Sequence, residues 1–195
     1  NIVLKTLFEK SPREKMHSER VGNISAAIAE KLGFEKERVN KIRVAGCLHD
    51  IGKIGIPENI LNKTSKLDAQ EWEIMKTHSE KSGRILENTI EYSEISDIVL
   101  YHHEKWDGSG YPNGLVGDKI PIESRIISVA DAYDAMTYNR TYRRKIPSAN
   151  AIKDLKRGSG THFDPAIVEF FIEKVLTDEI DFTSDNDSLA NLNDI

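Results

Sequence analysis

The adjacent residues His49 and Asp50 stand at the end of an apolar stretch with helical spacing, and both side chains are common metal ligands. Asp50 has two carboxylate oxygens, so it is able to bridge two cations. Residues of the same types recur at the ends or on the inner faces of other predicted helices: His17, His78, His102, His103 and Asp131. Imidazole and carboxylate together suit divalent transition metals. The first hypothesis is therefore a metal-dependent hydrolase.

Each of these residues also has a simpler explanation. A single inward histidine is usually a hydrogen-bonded core residue, and His102 with His103 alone would fit a solvated helix end. Burying the carboxylate of Asp131 without a partner would be costly, and the joint occurrence of the whole set argues against coincidence. One division assigns one metal to His17, His49, Asp50 and Asp131, and the other to Asp50, His78, His102 and His103. His162 lies outside the pattern and is expected to be a loop residue.

The elements that must position these side chains are predicted to be helices. Apolar residues at helical spacing place His17 on the inner face of a helix that stops at Gly33, and a second helix reaches His49 and ends near Gly52. Further helices are predicted at 68–78, 80–88, 93–104, 123–138, 148–157 and 165–176, with loops at 52–67 and 105–121. Because no alternating strand pattern is found, the predicted fold class is an all-α bundle.

Two helix starts carry specific signals. Asp68 is a predicted N-cap, and Glu71 three residues later completes a capping-box pattern at the start of the helix that leads to His78. Pro165 directly follows Asp164, which suits the first position of the last helix. These signals fix where two of the predicted helices begin.

Composition and charge indicate one medium-sized domain. The chain has 195 residues, of which 38% are hydrophobic and 30% charged, enough for a core and a solvated surface. The net charge is −5, but residues 177–195 hold six acidic residues and no Lys or Arg, so this tail carries −6 and residues 1–176 carry +1. We therefore expect a folded catalytic domain at 1–176 and an acidic, flexible tail at 177–195. A near-neutral body argues against DNA as a partner.

Cysteine usage and hydropathy bear on location. Cys47 is the single cysteine, so an intramolecular disulfide is excluded and a reducing compartment is compatible. No apolar run approaches the roughly 18–20 residues that cross a bilayer, and no signal-peptide pattern opens the chain. A cytoplasmic protein is expected. The first residue is Asn1, so we expect a fragment of a longer chain with an upstream sensory or receiver domain.

Several ordered motifs resemble those of HD-GYP domains. The matching segments are 49–57 (HDIGKIGIP), 102–112 (HHEKWDGSGYP), 114–115, 120–121, 129–131 (VAD), 134–135, 140–143 (RTYR) and 160–165 (GTHFDP). The resemblance covers residues 14–176. It implies an HD-domain helical bundle with additional C-terminal helices and a Gly/Pro-rich loop that carries Gly110, Tyr111 and Pro112.

The resemblance also implies an activity: hydrolysis of cyclic di-GMP by a phosphodiesterase with two divalent ions, iron or manganese, with zinc, nickel or cobalt as alternatives. Lys53 matches a lysine near the scissile phosphate, and Arg140 and Arg143 match residues that hold the substrate. The implied metal ligands are His17, His49, Asp50, His78, His102, His103 and Asp131.

Two departures from the family pattern matter. Members with three metals carry Glu four residues before the first ligand histidine, whereas this chain has Arg13 there, with Glu14 beside it. A third metal is therefore not expected. Thr64 and Ser65 stand where many members have Pro-Gly, which would make that loop more flexible.

Some roles remain open at the level of the sequence. Asp50 and Lys53 are the catalytic candidates, with Lys53 offsetting charge on the phosphoryl oxygens. Tyr111 offers an aromatic face to a substrate base or to a protein partner. Asp134, one turn after Asp131, could contact the substrate, orient a ligand or pair with a cation.

Rival functions also remain open. The same metals would serve hydrolysis of another cyclic dinucleotide or of a nucleotide, and a sensor or scaffold would bind without turnover. The product, a linear dinucleotide or GMP, is not decided by the sequence.

Overall fold

Regular structure in the protein is helical. A computed structural model describes residues 12–138 and 148–177, and no β-strand lies within these ranges. The α-helices of this part are α1 (Pro12–Lys31), α2 (Lys36–Leu48), α3 (Glu58–Leu61), α4 (Ala69–Glu87), α5 (Ser96–Leu100), α6 (Ile122–Thr137), α7 (Ser148–Gly158) and α8 (Pro165–Phe170). The prediction of an all-α fold is confirmed.

Helices α1 and α2 cross closely at two glycines. A Cβ atom at Gly22 would lie 2.5 Å from Cys47 Sγ and 2.8 Å from the Arg43 carbonyl oxygen, and one at Gly46 would lie 2.9 Å from Gly22 Cα. Because His49 follows Gly46 by three residues, this crossing brings the end of α2 beside the start of α1.

Helix α4 is one continuous helix where the sequence predicted two. The predicted capping box is confirmed, since the Asp68 side chain accepts a hydrogen bond from Glu71 N and the Glu71 side chain accepts one from Asp68 N. The predicted break falls at Ser79, which is buried together with Ser82 and Gly83. A Cβ atom at Gly83 would lie 3.1 Å from Leu100 Cβ, so packing against α5 keeps this stretch helical.

The segment predicted as one helix at 93–104 is shorter and divided. It consists of a 3₁₀ turn at Ser93–Ile95 and helix α5, and the chain leaves helical geometry at Tyr101. His102 and His103 therefore lie in a turn after α5. The predicted loop 52–67 is not wholly irregular. A 3₁₀ helix at Ile51–Gly55 overlaps its start, and the short helix α3 lies within it.

The C-terminal region packs against the central helix α6. Pro165 is the first residue of α8, as predicted, and Asp164 is its N-cap, since Asp164 Oδ1 accepts a hydrogen bond from Ala166 N. A π-helical turn at Phe171–Val175 follows in place of the last part of the predicted helix. Fully buried residues of α6 in the core include Ile126, Ile127, Val129 and Ala130.

Some residues with predicted roles lie outside the part of the chain that the structure describes. Arg140, Arg143 and residues 178–195 lie outside the described residues, as does the side chain of Arg13. Among the helices of the described ranges, none combines the length and apolar character needed to span a bilayer.

Candidate metal centre

The structure brings the predicted metal ligands from separate elements into two adjoining groups. In one group, ligand atoms of Asp50, His78, His102 and His103 all lie within 4.8 Å of one another. In the other, those of His17, His49 and Asp50 do so. Asp50 is common to both groups, as expected for a bridging carboxylate. The two groups contain the residues of the expected division except Asp131, whose Oδ1 lies 3.3 Å from His17 Nε2.

Three of the histidines share one local geometry. The Nδ1 atoms of His49, His78 and His102 lie 2.7, 2.7 and 2.6 Å from the carbonyl oxygens of the residues three positions earlier, Gly46, Met75 and Val99. A carbonyl only accepts a hydrogen bond, so Nδ1 carries the proton and Nε2 is left with its lone pair. Each imidazole is thereby held in the tautomer that binds a cation through Nε2.

Asp50 and Lys53 meet where α2 gives way to the 3₁₀ helix. The Lys53 ammonium donates to Asp50 Oδ2 at 2.5 Å, and His49 Nε2 and His78 Nε2 each lie 3.3 Å from an Asp50 oxygen. Burial raises the pKa of the Asp50 carboxyl, but the Lys53 ammonium and the neighbouring His49 side chain outweigh it and hold that pKa well below its usual value. Asp50 is therefore an anion.

Burial lowers the pKa of three histidines in the centre and so favours their neutral form. It lowers the pKa of His78, and it lowers the pKa of His102 well below its usual value with help from the neighbouring His103. The pKa of His103 falls to about 3 for the same reasons, burial and then His78. Neutral imidazoles around an anionic carboxylate are the protonation states that divalent cations require.

His17 is held from behind by Asp134. Its Nδ1 lies 2.6 Å from Asp134 Oδ2, and its Nε2 lies 3.3 Å from Asp131 Oδ1. Arg20 donates to both oxygens of Asp134, through Nε at 2.5 Å and through a terminal nitrogen at 3.1 Å. Asp134 is only 1% exposed. Of the roles left open for Asp134, its position fits orientation of a ligand and pairing with a cation.

Gly52 and Ser82 fix the turn that carries Asp50. Gly52 N donates to Ser82 Oγ at 2.8 Å, and that hydroxyl donates to the His49 carbonyl oxygen at 2.9 Å. A Cβ atom at Gly52 would overlap the His78 carbonyl oxygen and lie 2.5 Å from Ser82 N. Only glycine allows the turn to approach α4 this closely.

The loop after His103 is held by the buried carboxylate of Glu104. Its oxygens accept hydrogen bonds from Asn113 N at 2.7 Å and Leu115 N at 3.0 Å. Tyr111 N donates to the His103 carbonyl oxygen at 3.3 Å, and the two rings lie 4.9 Å apart between centroids. Tyr111 is thereby placed beside the group that contains His103.

The donor set fits divalent cations. Among the described residues, the Nε2 atoms of His49, His78 and His102 are buried and form no hydrogen bond. Leaving three buried nitrogens without a hydrogen bond is costly. Cations held by Nε2 and the Asp50 oxygens remove that cost, so the residues present fit a metal centre.

Several supporting residues were not identified from the sequence. Arg20 and Ser82 act through contacts with residues distant in the chain. Glu104 contacts residues 9 and 11 positions later and, next to the histidine pair, had a local signal. His162, predicted as a loop residue, lies in a turn, and its ring stacks on Phe163 at 4.3 Å.

Comparison with known proteins decides the family. Residues 1–167 match the HD domain family. The chain belongs to the HD domain family. The expected resemblance to HD-GYP proteins is confirmed, since curated relatives named cyclic di-GMP phosphodiesterases match the chain at about 40% identity. Among solved structures, the HD domain fold recurs in Bd1817 of Bdellovibrio bacteriovorus, described as a HDG"Y"P protein. Its TM-score is 0.68 at 20% identity, covering 85% of this chain and 53% of that one.

Two curated relatives differ in their named substrates. A cyclic di-GMP phosphodiesterase of Thermotoga maritima is 44% identical over 179 residues, which are 90% of this chain and 49% of that protein. The 3'3'-cGAMP-specific phosphodiesterase 2 of Vibrio cholerae is 41% identical over 159 residues, 80% of this chain and 30% of that protein. The HD domain described here thus spans half or less of the length of these relatives.

Proposed function

We propose that this HD domain is a metal-dependent phosphodiesterase that hydrolyses cyclic di-GMP. The observation that carries the proposal is the sharing of Asp50 between two groups of ligands, in which the buried Nε2 atoms of His49, His78 and His102 form no hydrogen bond within the described residues. Two adjacent cations suit attack on a phosphodiester. The relative from Thermotoga maritima is named for this activity and matches 90% of the chain.

The ligands would hold two ions, for which iron and manganese are proposed and zinc, nickel or cobalt are alternatives. His17, His49 and Asp131 would serve one ion and His78, His102 and His103 the other, with Asp50 serving both. When bound, two divalent cations polarise a phosphoryl oxygen and lower the pKa of a coordinated water. No third ion is proposed.

The chain's own side chains would prepare the reaction. Hydrolysis forms a bond from a water oxygen to phosphorus, breaks the bond from phosphorus to the ribose 3′ oxygen, and delivers a proton to that oxygen. Lys53 Nζ, 2.5 Å from Asp50, stands at the edge of the centre and would offset negative charge on the phosphoryl oxygens. Arg140 and Arg143 would hold the phosphate or a base, and Tyr111 would contact a base.

Asp134 has a different proposed role from substrate contact. Its carboxylate would accept the Nδ1 proton of His17 and direct Nε2 of that ring toward the ion, while Arg20 holds the carboxylate in place.

A substrate panel tests the proposal. The domain is purified without chelator and without oxygen, its metals are measured by elemental analysis, and it is assayed with cyclic di-GMP, 3'3'-cGAMP, cyclic di-AMP and nucleotide monophosphates. We expect hydrolysis of cyclic di-GMP with about two ions per chain. Preferred turnover of 3'3'-cGAMP would move the assignment to the activity named for the Vibrio cholerae relative. Binding without turnover at full metal occupancy would replace the enzyme with a sensor.

Variants separate the metal ligands from the phosphate contact. His49→Ala and Asp50→Ala should lose hydrolysis and metal together, and His162→Ala serves as a control outside the centre. Lys53→Ala should keep its metal while turnover slows. Normal turnover in His49→Ala or Asp50→Ala would show that the assigned centre is wrong.

A further inference from the structure

A row of rings leads from the metal centre to the surface. The Tyr111 ring centroid lies 4.9 Å from that of His103 and 6.4 Å from that of Trp72 on α4. Trp72 is 46% exposed, so a large part of a wide apolar ring faces solvent directly beside Tyr111. The roles derived above for the metal ligands and Lys53 make no use of this ring.

The two outer rings form a corner. The planes of Trp72 and Tyr111 are nearly perpendicular, at 86°. A planar heteroaromatic base can therefore stack on one ring while its edge meets the other, and both arrangements are favoured for aromatic groups. Stacking on aromatic side chains is a general means of holding a nucleotide base.

The corner also carries charge suited to one kind of base. Lys76, one turn after Trp72, places its Nζ 5.9 Å from the Tyr111 ring centroid and 2.9 Å from the Glu73 carboxylate. Guanine presents acceptors at O6 and N7, whereas adenine presents an amino donor in place of O6. An ammonium group at this position therefore favours guanine over adenine.

The corner is built into the fold. Glu104 holds the backbone on the C-terminal side of Tyr111 through Asn113 N and Leu115 N. A Cβ atom at Gly110 would overlap Lys105 N and lie 2.6 Å from Glu104 Cα. The loop at Gly110 therefore packs directly against the backbone of residues 104–105, where the loop begins. The backbone of Trp72 lies in the first turn of α4, whose capping box is complete. The backbone that carries each ring is therefore ordered before a base binds, which lowers the entropy cost of binding.

We propose that Trp72, Tyr111 and Lys76 form a subsite for one guanine base of the substrate, with Trp72 as the stacking surface and Lys76 as the determinant of guanine over adenine. This inference rests on the proposed function, since it assigns the place of a base next to the metal centre. It adds two residues, Trp72 and Lys76, to the substrate contacts expected from the family motifs.

Kinetics of the metal-loaded domain test the subsite. We expect Trp72→Ala to raise KM for cyclic di-GMP about tenfold or more, because a stacked base contributes that much to binding. Trp72→Phe should restore most of the loss, and metal content should stay unchanged in both variants. Ile74→Ala is the matched control, an exposed apolar residue on the same helix. Lys76→Gln should reduce the preference for cyclic di-GMP over cyclic di-AMP.

An unchanged KM in Trp72→Ala would overturn the subsite. So would an equal rise in KM in Ile74→Ala, or loss of metal from Trp72→Ala, because each would make the effect structural. A Lys76→Gln variant with unaltered preference would remove the guanine assignment.

Fluorescence distinguishes failure of the subsite from failure of the proposed function. The chain has two tryptophans, Trp72 and Trp106, so Trp106→Phe leaves Trp72 as the reporter. Cyclic di-GMP should quench this emission, and should not quench the emission of Trp72→Phe. Quenching without turnover would refute hydrolysis and keep the subsite. Turnover without quenching would refute the subsite and keep the proposed hydrolysis.

Discussion

Gly52 lies directly against the carbonyl oxygen of His78, so the turn that carries Asp50 and the helix that carries His78 meet without a side chain between them. A Cβ atom at Gly52 would overlap that oxygen and lie 2.5 Å from the Ser82 amide nitrogen. This contact sets the distance between Asp50 and His78, because Asp50 lies two residues before Gly52.

Gly52→Ala should therefore disturb the metal centre. The added methyl group meets backbone atoms that cannot move aside, so we expect the free energy of unfolding to fall by about 1–3 kcal/mol and the bound metal to decrease. Denaturant unfolding and elemental analysis measure the two effects.

Gly55→Ala provides the matched control three residues later. A Cβ atom at Gly55 would meet only the Lys81 side chain, at 3.0 Å from Cδ, and a flexible lysine can turn away. Gly55→Ala should keep its metal and change stability by less than about 0.5 kcal/mol. Equal losses in the two variants would show that the close approach at Gly52 is not what positions the centre.

The candidate ligand set could be proposed from the sequence because the residue types themselves indicate metal binding. Histidine pairs and carboxylates at helix ends, such as His49 with Asp50, are informative without knowledge of the fold. The residues that support these side chains cannot be identified without knowledge of the fold. Arg20 and Asp134 are 114 positions apart, and neither residue has a local pattern that would pair them.

The helix boundaries show where local signals were overruled. Asp68 caps its helix and Pro165 begins α8 as predicted, since both signals depend on residues within one turn. The helix break expected within 78–80 does not occur, because the packing that buries Ser79, Ser82 and Gly83 stabilises a continuous helix. The end of α5 at Leu100 came earlier than expected, and no local stop signal such as glycine or proline stands there.

Asp134→Asn should weaken metal binding at the His17 group. The amide keeps the shape of the side chain but loses the charge that holds His17 Nδ1–H and Arg20. We expect metal affinity of that group to fall about 10–100-fold and the free energy of unfolding to fall by roughly 2 kcal/mol, as for a hydrogen bond to a charged group. Isothermal titration with a divalent cation and denaturant unfolding measure these effects.

Asp118→Asn is the control for this change. Asp118 also pairs with an arginine, Arg125, at 3.0 Å, but its side chain is 89% exposed. An exposed ion pair contributes about 0–1 kcal/mol, and metal affinity should not change. If Asp134→Asn bound metal as tightly as Asp118→Asn, the role of Asp134 in orienting His17 would be refuted.

Glu104→Gln should loosen the loop that carries Tyr111. Each oxygen of Glu104 accepts a backbone N–H, from Asn113 and Leu115, and glutamine would turn an N–H₂ donor toward one of them. We expect a loss of about 1–3 kcal/mol in the free energy of unfolding and faster hydrogen–deuterium exchange across residues 105–116. Glu94→Gln, at an exposed carboxylate paired with Lys41, should change neither quantity. Unaltered exchange in Glu104→Gln would show that the loop is held by other contacts.

Metal removal should lower the stability of the whole domain. The buried Nε2 atoms of His49, His78 and His102 form no hydrogen bond within the described residues, so cations bind the folded chain far better than the unfolded one. At a free metal concentration 100 times the Kd, binding contributes about 2.7 kcal/mol, which for a domain of this size raises Tm by roughly 5–10 °C. Chelated protein should lose this increment and regain it on addition of manganese. His102→Ala should show a much smaller increment, whereas His162→Ala, the same change outside the centre, should show the full one. A full increment in His102→Ala would mean that the stabilising ion binds elsewhere on the protein.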